Sequence, residues 1–281
     1  MKVGYLGPKG SFTYLAASNV FTQAEKLPFS TIVNVLKEVE TGAIDWGVVP
    51  IENSIEGTVN QTLDFLYHYS TCQIQGEVVL PIEQNLLVHS NWMNALNKID
   101  TVMSHPQALA QTQMFLSEHF KNIPQKLMDS TTQAAKWVSE NSDKPTLAIA
   151  SKEAANMYGL EVVYENIQDI TANHTRFWIV GNKKLSLEYT SKKQSIGVRM
   201  KKNESGNLHK ILSAFSWRDI NLLKIESRPM KTMLGEYFFL IDIEVNNQKL
   251  IDLAVEEITE LGGEVKLLGS YPVCLKICYL V

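Results

Sequence analysis

The chain has 281 residues, of which 45% are hydrophobic and 20% charged, with a net charge of -4. That length and composition describe an ordinary water-soluble protein of about two domains with a sizeable core. The acidic balance excludes a general nucleic-acid binder, which carries a basic stripe. No run reaches the ~18 apolar residues of a membrane span, and the opening MKVGYLGPKG breaks at glycines too early for a signal peptide, so a cytoplasmic protein is expected.

Lys2 to Leu6 reads as a short apolar strand ending in Gly7-Pro8-Lys9-Gly10-Ser11, followed by a helix capped by Ser11 or Thr13. TIVNVLKEVETG reads as a helix closed by Gly42, DWGVVPIEN as a strand stopped by Pro50, and TVNQTLDFLYHY as a helix. GEVVLPIEQNLLV holds two strands split around Pro81; a strand at Thr101-Val102-Met103, a polar turn and a helix follow. STTQAAKWVSEN is a helix, TLAIA a strand, SKEAANMYG a short helix, LEVVYENIQ extended, and NHTRFWIV a buried strand entered through a polar cluster. Such alternation of strand and helix predicts an α/β fold. It stops near residue 182, and residues 183–194, rich in lysine and without a large apolar cluster, are expected to be a linker. From residue 195 the order is strand, helix, two strands, helix, strand, which predicts a ferredoxin-like domain over 195–281. Cys72, Cys274 and Cys278 cannot all pair, and a CxxxC without histidine is a poor metal site; all three are expected to be reduced structural thiols.

In open α/β sheets ligands sit beyond the carboxyl ends of the strands. The polar clusters fall there: Pro8 to Thr13, Glu52 to Thr58, Ser104 to Ala108, and Ser151-Lys152, each ahead of a helix. Helix N-terminal amides and small hydroxyls bind anions, and no phosphate-loop lysine, GxGxxG or metal cluster is present in the sequence. A small carboxylated ligand is the expectation. One at a time, these residues also suit plain helix caps, and His105 suits a hydrogen-bonded surface histidine better than a catalytic one.

GPKGSFT, VVPIENSIEGTV, SHPQALAQ, STTQAA, LAIAS and NHTRFWIV together resemble the prephenate dehydratase family. GNLHKILSAF followed by INLLKIESRP resembles its C-terminal ACT regulatory domain, and the likeness runs from about residue 3 to about 272. It departs at Asn207, where the family usually has alanine, and in VCLKICYLV, which extends beyond the usual GSYP ending. The resemblance implies a catalytic domain over 1–182 built like a type II periplasmic binding protein. Its first lobe would span about 1–75 and 170–182, its second about 76–169.

The implied reaction is loss of water and carbon dioxide from prephenate to give phenylpyruvate for phenylalanine synthesis, with no cofactor required. By motif match Thr175 is the essential threonine, and Asn53, Ser54, Ser104 and Gln107 line the site with Thr13 and Phe177 beside them. Arg176 offers a planar fork for a substrate carboxylate, and Glu52 is the nearest formal acid, with a pKa expected to rise beside a dianion. The ACT likeness implies phenylalanine as effector in a homodimer or homotetramer. Backbone amides of Gly206-Asn207-Leu208 would hold its carboxylate, Asn221-Leu222 would meet it across an interface, and Glu226-Ser227-Arg228 would close the site. A cyclohexadienyl dehydratase that also accepts arogenate, and a non-catalytic carboxylate sensor, remain as alternatives.

Overall fold

The computed structural model describes residues 1–186, 188–201, 204–231 and 235–274, so Cys278 lies outside the described residues. In chain order the elements are β1 (Lys2–Leu6), α1 (Phe12–Val20), β2 (Glu25–Phe29), α2 (Ile32–Glu40), β3 (Trp46–Asn53), β4 (Gly57–Thr58), α3 (Asn60–His68) and β5 (Gln73–Pro81). Next come β6 (Asn85–Val88), β7 (Thr101–Ser104), α4 (Pro106–Ala110), α5 (Gln113–His119), β8 (Gln125–Leu127), α6 (Thr131–Glu140), β9 (Thr146–Ala150), α7 (Lys152–Tyr158), β10 (Glu161–Tyr164) and β11 (His174–Gly181). The C-terminal part holds β12 (Ser191–Met200), α8 (Asn207–Ser216), β13 (Leu222–Pro229), β14 (Tyr237–Glu244), α9 (Gln248–Glu260) and β15 (Gly263–Cys274).

Local chemistry explains the helices. Ser11, Thr31, Ser130 and Ser151 each accept a hydrogen bond from a first-turn backbone N–H, which satisfies a donor the helix leaves orphaned. Helix α2 buries Ile32, Val35, Leu36 and Val39, the 3.6-residue stripe of a surface helix. Among the described residues no helix is long and apolar enough to cross a membrane.

Two sheets result. The larger runs β13-β14-β12-β15-β5-β11-β3-β1-β2, with β4 on β3; the smaller runs β10-β6-β9-β7-β8. The smaller sheet with α4 to α7 is a second lobe, reached after Pro81 and left before His174. Its two connections are held by Ile82 N donating to Asn173 O at 2.8 Å and Ile167 N to Gln84 O at 2.8 Å. The crossing expected near residue 76 thus lies six or so residues later, because β5 stays paired with β11 from Gln73 to Pro81.

Three further expectations are corrected. Strand β3 is not stopped by Pro50 but continues to Asn53, the proline sitting beside a β-bulge, where a missing N–H costs little. The linker ends at residue 190, since β12 begins at Ser191; Lys193, counted there as linker charge, reaches the fully buried Glu77 at 2.7 Å. Residues 25–29, without a strand in the sequence reading, form the edge strand β2, where Pro28 is tolerated.

The C-terminal β-α-β-β-α-β layer has strand order β13-β14-β12-β15, that of a ferredoxin-like fold. Its helices cover one face through Ile211, Phe215, Ile251 and Ile258. The other face docks on α2 and α3, so that Phe238, Leu240, Leu268 and Tyr271 share one core with Leu36, Leu66 and Trp178. Tyr67 stacks on Phe238 with ring centroids 3.7 Å apart. The Lys266 ammonium donates to the carbonyls of Leu66, Tyr67 and Ser70 at 2.7–2.8 Å, a cation at the carboxyl end of α3. Strand β15 joins β5 in parallel, Val273 beside Glu77. That approach depends on Gly269: a Cβ there would stand 2.4 Å from the Ile74 carbonyl oxygen, a backbone atom with no rotamer to change. Gly269→Ala is therefore expected to cost about 1–3 kcal/mol, the range of overpacked cores, read as a lowered Tm with secondary structure intact by circular dichroism; an unchanged Tm contradicts the docking described.

Candidate active site

The end of β3 is set by its bulge. Arg176 pairs with Glu52 while Phe177 pairs with Pro50, which leaves Ile51 as the extra residue. Ile51 packs in the core that holds Trp178, and Glu52 reaches Arg176 from the same side, so two consecutive residues share one face. The next residue, Asn53, is thereby turned to the opposite face and meets Thr175.

Asn53 is fixed in orientation. One side-chain atom accepts backbone N–H groups from Ile55 at 3.0 Å and Glu56 at 3.1 Å. Backbone N–H groups only donate, so that atom is the carbonyl oxygen and the other is the NH2. Its two protons go to Asn173 Oδ1 at 2.8 Å and Thr175 Oγ1 at 2.9 Å. Thr175, buried to 8% exposure, is thus an acceptor toward Asn53, and its own proton is left to point elsewhere.

The network extends into the second lobe. Asn173 Nδ2 donates to Gln111 Oε1 at 3.1 Å, and Gln111 Nε2 is a buried donor without a partner among the described residues. Thr132 Oγ1, in the first turn of α6, is also buried without a partner. The lobes touch nearby, since a Cβ on Gly10 would lie 3.1 Å from Thr132 Cγ2 and 3.2 Å from Met157 Sδ. Sequence reasoning chose Gln107 from SHPQALAQ and passed over Gln111, one helical turn on. The repeat of glutamine at i and i+4, which places both on one helix face, was the available signal.

The other expected residues divide. Ser54 donates to Ala172 O at 3.1 Å and accepts from His174 N at 2.9 Å, stitching β3 to the returning chain. Ser104 is fully buried and donates to Ile149 O at 2.6 Å, so it ties β7 to β9 rather than lining an accessible site. Gln107 lies half-buried in the first turn of α4, its backbone N–H accepted by His105 Nδ1 at 3.3 Å; that makes His105 a helix cap. Thr13 is buried inside α1, whose cap is Ser11. Phe177 is a core residue, 1% exposed among Val3, Tyr5 and Val78.

Arg176 and Glu52 require correction. Arg176 faces away from Thr175, and its guanidinium donates to Glu52 at 2.6 Å, Glu77 at 2.7 Å and Asp242 at 2.7 Å. A fork engaged by three carboxylates is not presented to a substrate. Burial opposes its charge, but Asp242 and Glu77 more than offset that and raise its pKa. For Glu52, burial pushes the carboxyl up, yet hydrogen bonds from Lys224 and Arg176 prevail and hold it below the usual carboxylate range, opposite to the expected rise. It is an ion-paired acceptor, not a proton donor.

In the C-terminal layer Gly206, Asn207 and Leu208 come together around a cavity of about 400 Å³ with Arg199, Glu236 and Tyr237. Asn221 donates to Glu244 at 3.0 Å and Leu222 heads β13. Glu226 and Arg228 do not close this cavity: they face the N-terminal part, where Glu226 accepts from Thr58 and Arg228 meets Asp64 at 3.1 Å, with Ser227 exposed between them. Cys72 and Cys274 are buried; Cys274 Sγ donates to the Glu188 carbonyl at 2.7 Å, and burial, with Glu40 beside it, raises the Cys72 thiol to about 11, which makes it unreactive.

The model of the prephenate dehydratase family matches residues 3–185. Prephenate dehydratase of Lactococcus lactis subsp. lactis (strain IL1403) is 45% identical over 278 residues, 97% of this chain and 98% of that protein. That of Bacillus subtilis (strain 168) is 45% identical over 280 residues, 96% of this chain and 98% of that protein. The crystal structure of prephenate dehydratase from Arthrobacter aurescens in complex with L-Phe matches with a TM-score of 0.87 and 30% identity, covering 98% of this chain and 93% of that one.

The carboxylates give a pH dependence. Glu40 is pushed up by burial, but hydrogen bonds from Ser70, Cys72 and Thr71 bring it down to about 2; Glu77 and Glu52 are lowered as well. Folded values below the unfolded one, about 4.3, mean stability that is present above about pH 5 and lost as pH falls toward the folded values. Urea midpoints should fall steadily between about pH 5 and about pH 3, and less steeply in Glu40→Gln; an equal slope in that variant contradicts the assignment.

Proposed function

The chain belongs to the prephenate dehydratase family, and from that premise we propose that Thr175, held by Asn53, assists departure of the ring hydroxyl as prephenate becomes phenylpyruvate. The electron pair of the ring carboxylate's C–C bond enters the ring, carbon dioxide leaves, and the C–O bond to the hydroxyl breaks. One proton accompanies that oxygen, which leaves as water. The formation of an aromatic ring drives the reaction, so the protein's task is to hold a dianion and stabilise a departing hydroxide. A threonine hydroxyl is too weak an acid to protonate it outright. A hydrogen bond aimed at the leaving oxygen is stronger in the transition state, where charge develops, than in the bound substrate, which is the condition for catalysis.

The observation that carries this reading is the fixed Asn53 amide. Because it donates to Thr175 Oγ1, the threonine proton is free for the substrate. Gln111 Nε2 and Thr132 Oγ1, buried donors without partners at the lobe contact, suit the substrate's carboxylates. Ser54 and Asn173 hold the returning chain in register.

For the C-terminal layer the reading is an ACT domain that binds phenylalanine at the Gly206–Leu208 turn and lowers activity. Its supports are the ferredoxin-like strand order, the cavity, and the L-Phe complex of the Arthrobacter relative. Strand β13 is the outer edge of the larger sheet and exposes Leu223 and Ile225 at 46% and 43%. An apolar edge of that kind suits side-by-side pairing with a second copy, hence a homodimer or a homotetramer.

Thr175→Ala is expected to fold normally and to lose ~100-fold or more in kcat, with Thr175→Ser retaining part. Asn53→Asp removes both donated hydrogen bonds and should fall in the same range. Formation of phenylpyruvate, followed by its ultraviolet absorbance in alkali, measures this; parent-like turnover in Thr175→Ala contradicts the assignment, and running arogenate alongside separates the two dehydratase readings. Titration calorimetry with phenylalanine should show binding at the C-terminal layer and a parallel loss of activity; millimolar phenylalanine giving neither leaves the layer as a dimerisation module.

A further inference from the structure

Strands β3 and β11 carry two different sets of chemistry on their two faces. One face presents Thr175 and Asn53. The other, one residue along each strand, presents Arg176 and Glu52. On that second face the partners come largely from the C-terminal domain. Arg176 is gripped by Asp242 of β14 and Glu77 of β5, each at 2.7 Å and each fully buried. Asp242 in turn accepts from Ser195 Oγ at 2.6 Å, and that hydroxyl meets Tyr271 OH at 2.6 Å. Glu77 accepts from Lys193 at 2.7 Å and from Trp178 Nε1 at 3.2 Å. Glu52 takes its second cation, Lys224 of β13, at 2.6 Å.

A buried cluster of this size is a weak way to stabilise an interface, because desolvation offsets most of the attraction. Its effect is to fix geometry, since each carboxylate and cation has one place to go. The cluster also sits at the bulge that turns Asn53 toward Thr175. Moving Asp242 or Lys224 relative to the N-terminal domain pulls on Arg176 or Glu52, and either one is a single peptide unit from the reacting pair.

We propose that Arg176 is a positioning residue through which the C-terminal domain sets the alignment of Thr175 with Asn53, so that the carboxylate cage around its guanidinium is the route by which effector binding reaches the active site. This rests on Thr175 and Asn53 being the catalytic pair and on the C-terminal layer being regulatory. The effector need not touch the catalytic lobes; it has only to favour one placement of the β13–β14 pair against β5 and β11, and an interface of discrete ion pairs has few such placements.

The experiment uses the full chain with prephenate as substrate and phenylalanine as effector. Asp242→Asn keeps the shape and the bond from Ser195 but loses the charge on Arg176; Lys224→Met loosens Glu52 at the rim; Arg176→Lys and Arg176→Met test rescue by charge. Misplacing the reacting groups by about 1 Å costs up to ~100-fold, so Asp242→Asn is expected to lower kcat about ten-fold with KM within about two-fold. The half-inhibitory phenylalanine concentration should move by about five-fold or more. Arg176→Lys should retain more kcat than Arg176→Met, and Lys224→Met should change kcat in the same sense as Asp242→Asn. A purely structural cage would lower Tm and leave kcat and inhibition at parent values, which overturns the proposal. A raised KM with parent kcat in the Arg176 variants also overturns it, since that is the signature of a direct substrate fork. Should Asp242→Asn fail to melt cooperatively, Lys224→Met and Arg176→Lys decide by the same criteria. A parent chain that does not turn over prephenate, or ignores phenylalanine, contradicts the underlying reading instead, and is seen before any variant is made.

Discussion

The hydrogen bond from the Asn53 amide to Thr175 Oγ1 is the constraint from which the candidate site can be rebuilt. Its direction is dictated by two backbone N–H groups that leave the amide no choice of rotamer. Its existence depends on a bulge, because a regular β3 would send Asn53 to the wrong face. The bulge in turn accommodates Pro50, whose carbonyl still accepts from Thr62 at 2.6 Å. On the role proposed for Thr175, a weakly acidic hydroxyl would become useful chemistry through rigid surroundings rather than through a shifted pKa. That is a route open to reactions whose driving force is internal to the substrate.

The far side of the same strands answers a different problem. A ferredoxin-like layer has one face covered by its own helices and needs a cover for the other. Here the N-terminal domain supplies it, with an apolar part around Phe238 and Tyr271 and a charged part around Arg176. Lys266 completes the contact from the rim by capping α3. The GSYP stretch of the sequence is explained by this docking: Gly269 allows contact with Ile74, and Tyr271 lies fully buried, its ring 6.4 Å from that of Trp178.

Much of this was legible in the sequence, and the limit has a clear physical shape. Periodicity and turn residues located most of the elements, since those signals are local, and several polar residues at strand ends, Ser11, His105 and Ser151 among them, prove to be helix caps. What was not legible is which way a side chain faces after an irregularity. Arg176 follows Thr175 directly and so must point the other way, but what waits there, Glu77 and Asp242, is 99 and 66 residues distant. Glu52 was read as an acid because its partners Lys224 and Arg176 are more remote still, 172 and 124 residues away. Lys193 looked like linker charge for the same reason, and Ser104 looked like a site hydroxyl because nothing nearby reveals the Ile149 carbonyl. Buried charge is the feature least visible to a one-dimensional reading, because its sense depends wholly on long-range pairing.

Strand β15 running alongside β5 has an implication for how such a chain is put together. Domains strung on linkers can be exchanged between proteins as self-contained modules. Here the border between the two parts lies within a sheet, and cutting it would bare the flank of β5 and strip Asp242 from Arg176 and Lys193 from Glu77. A change on the docking face of one half therefore calls for a matching change on the other, and a grafted C-terminal layer would seat properly only if the cage of charges came too.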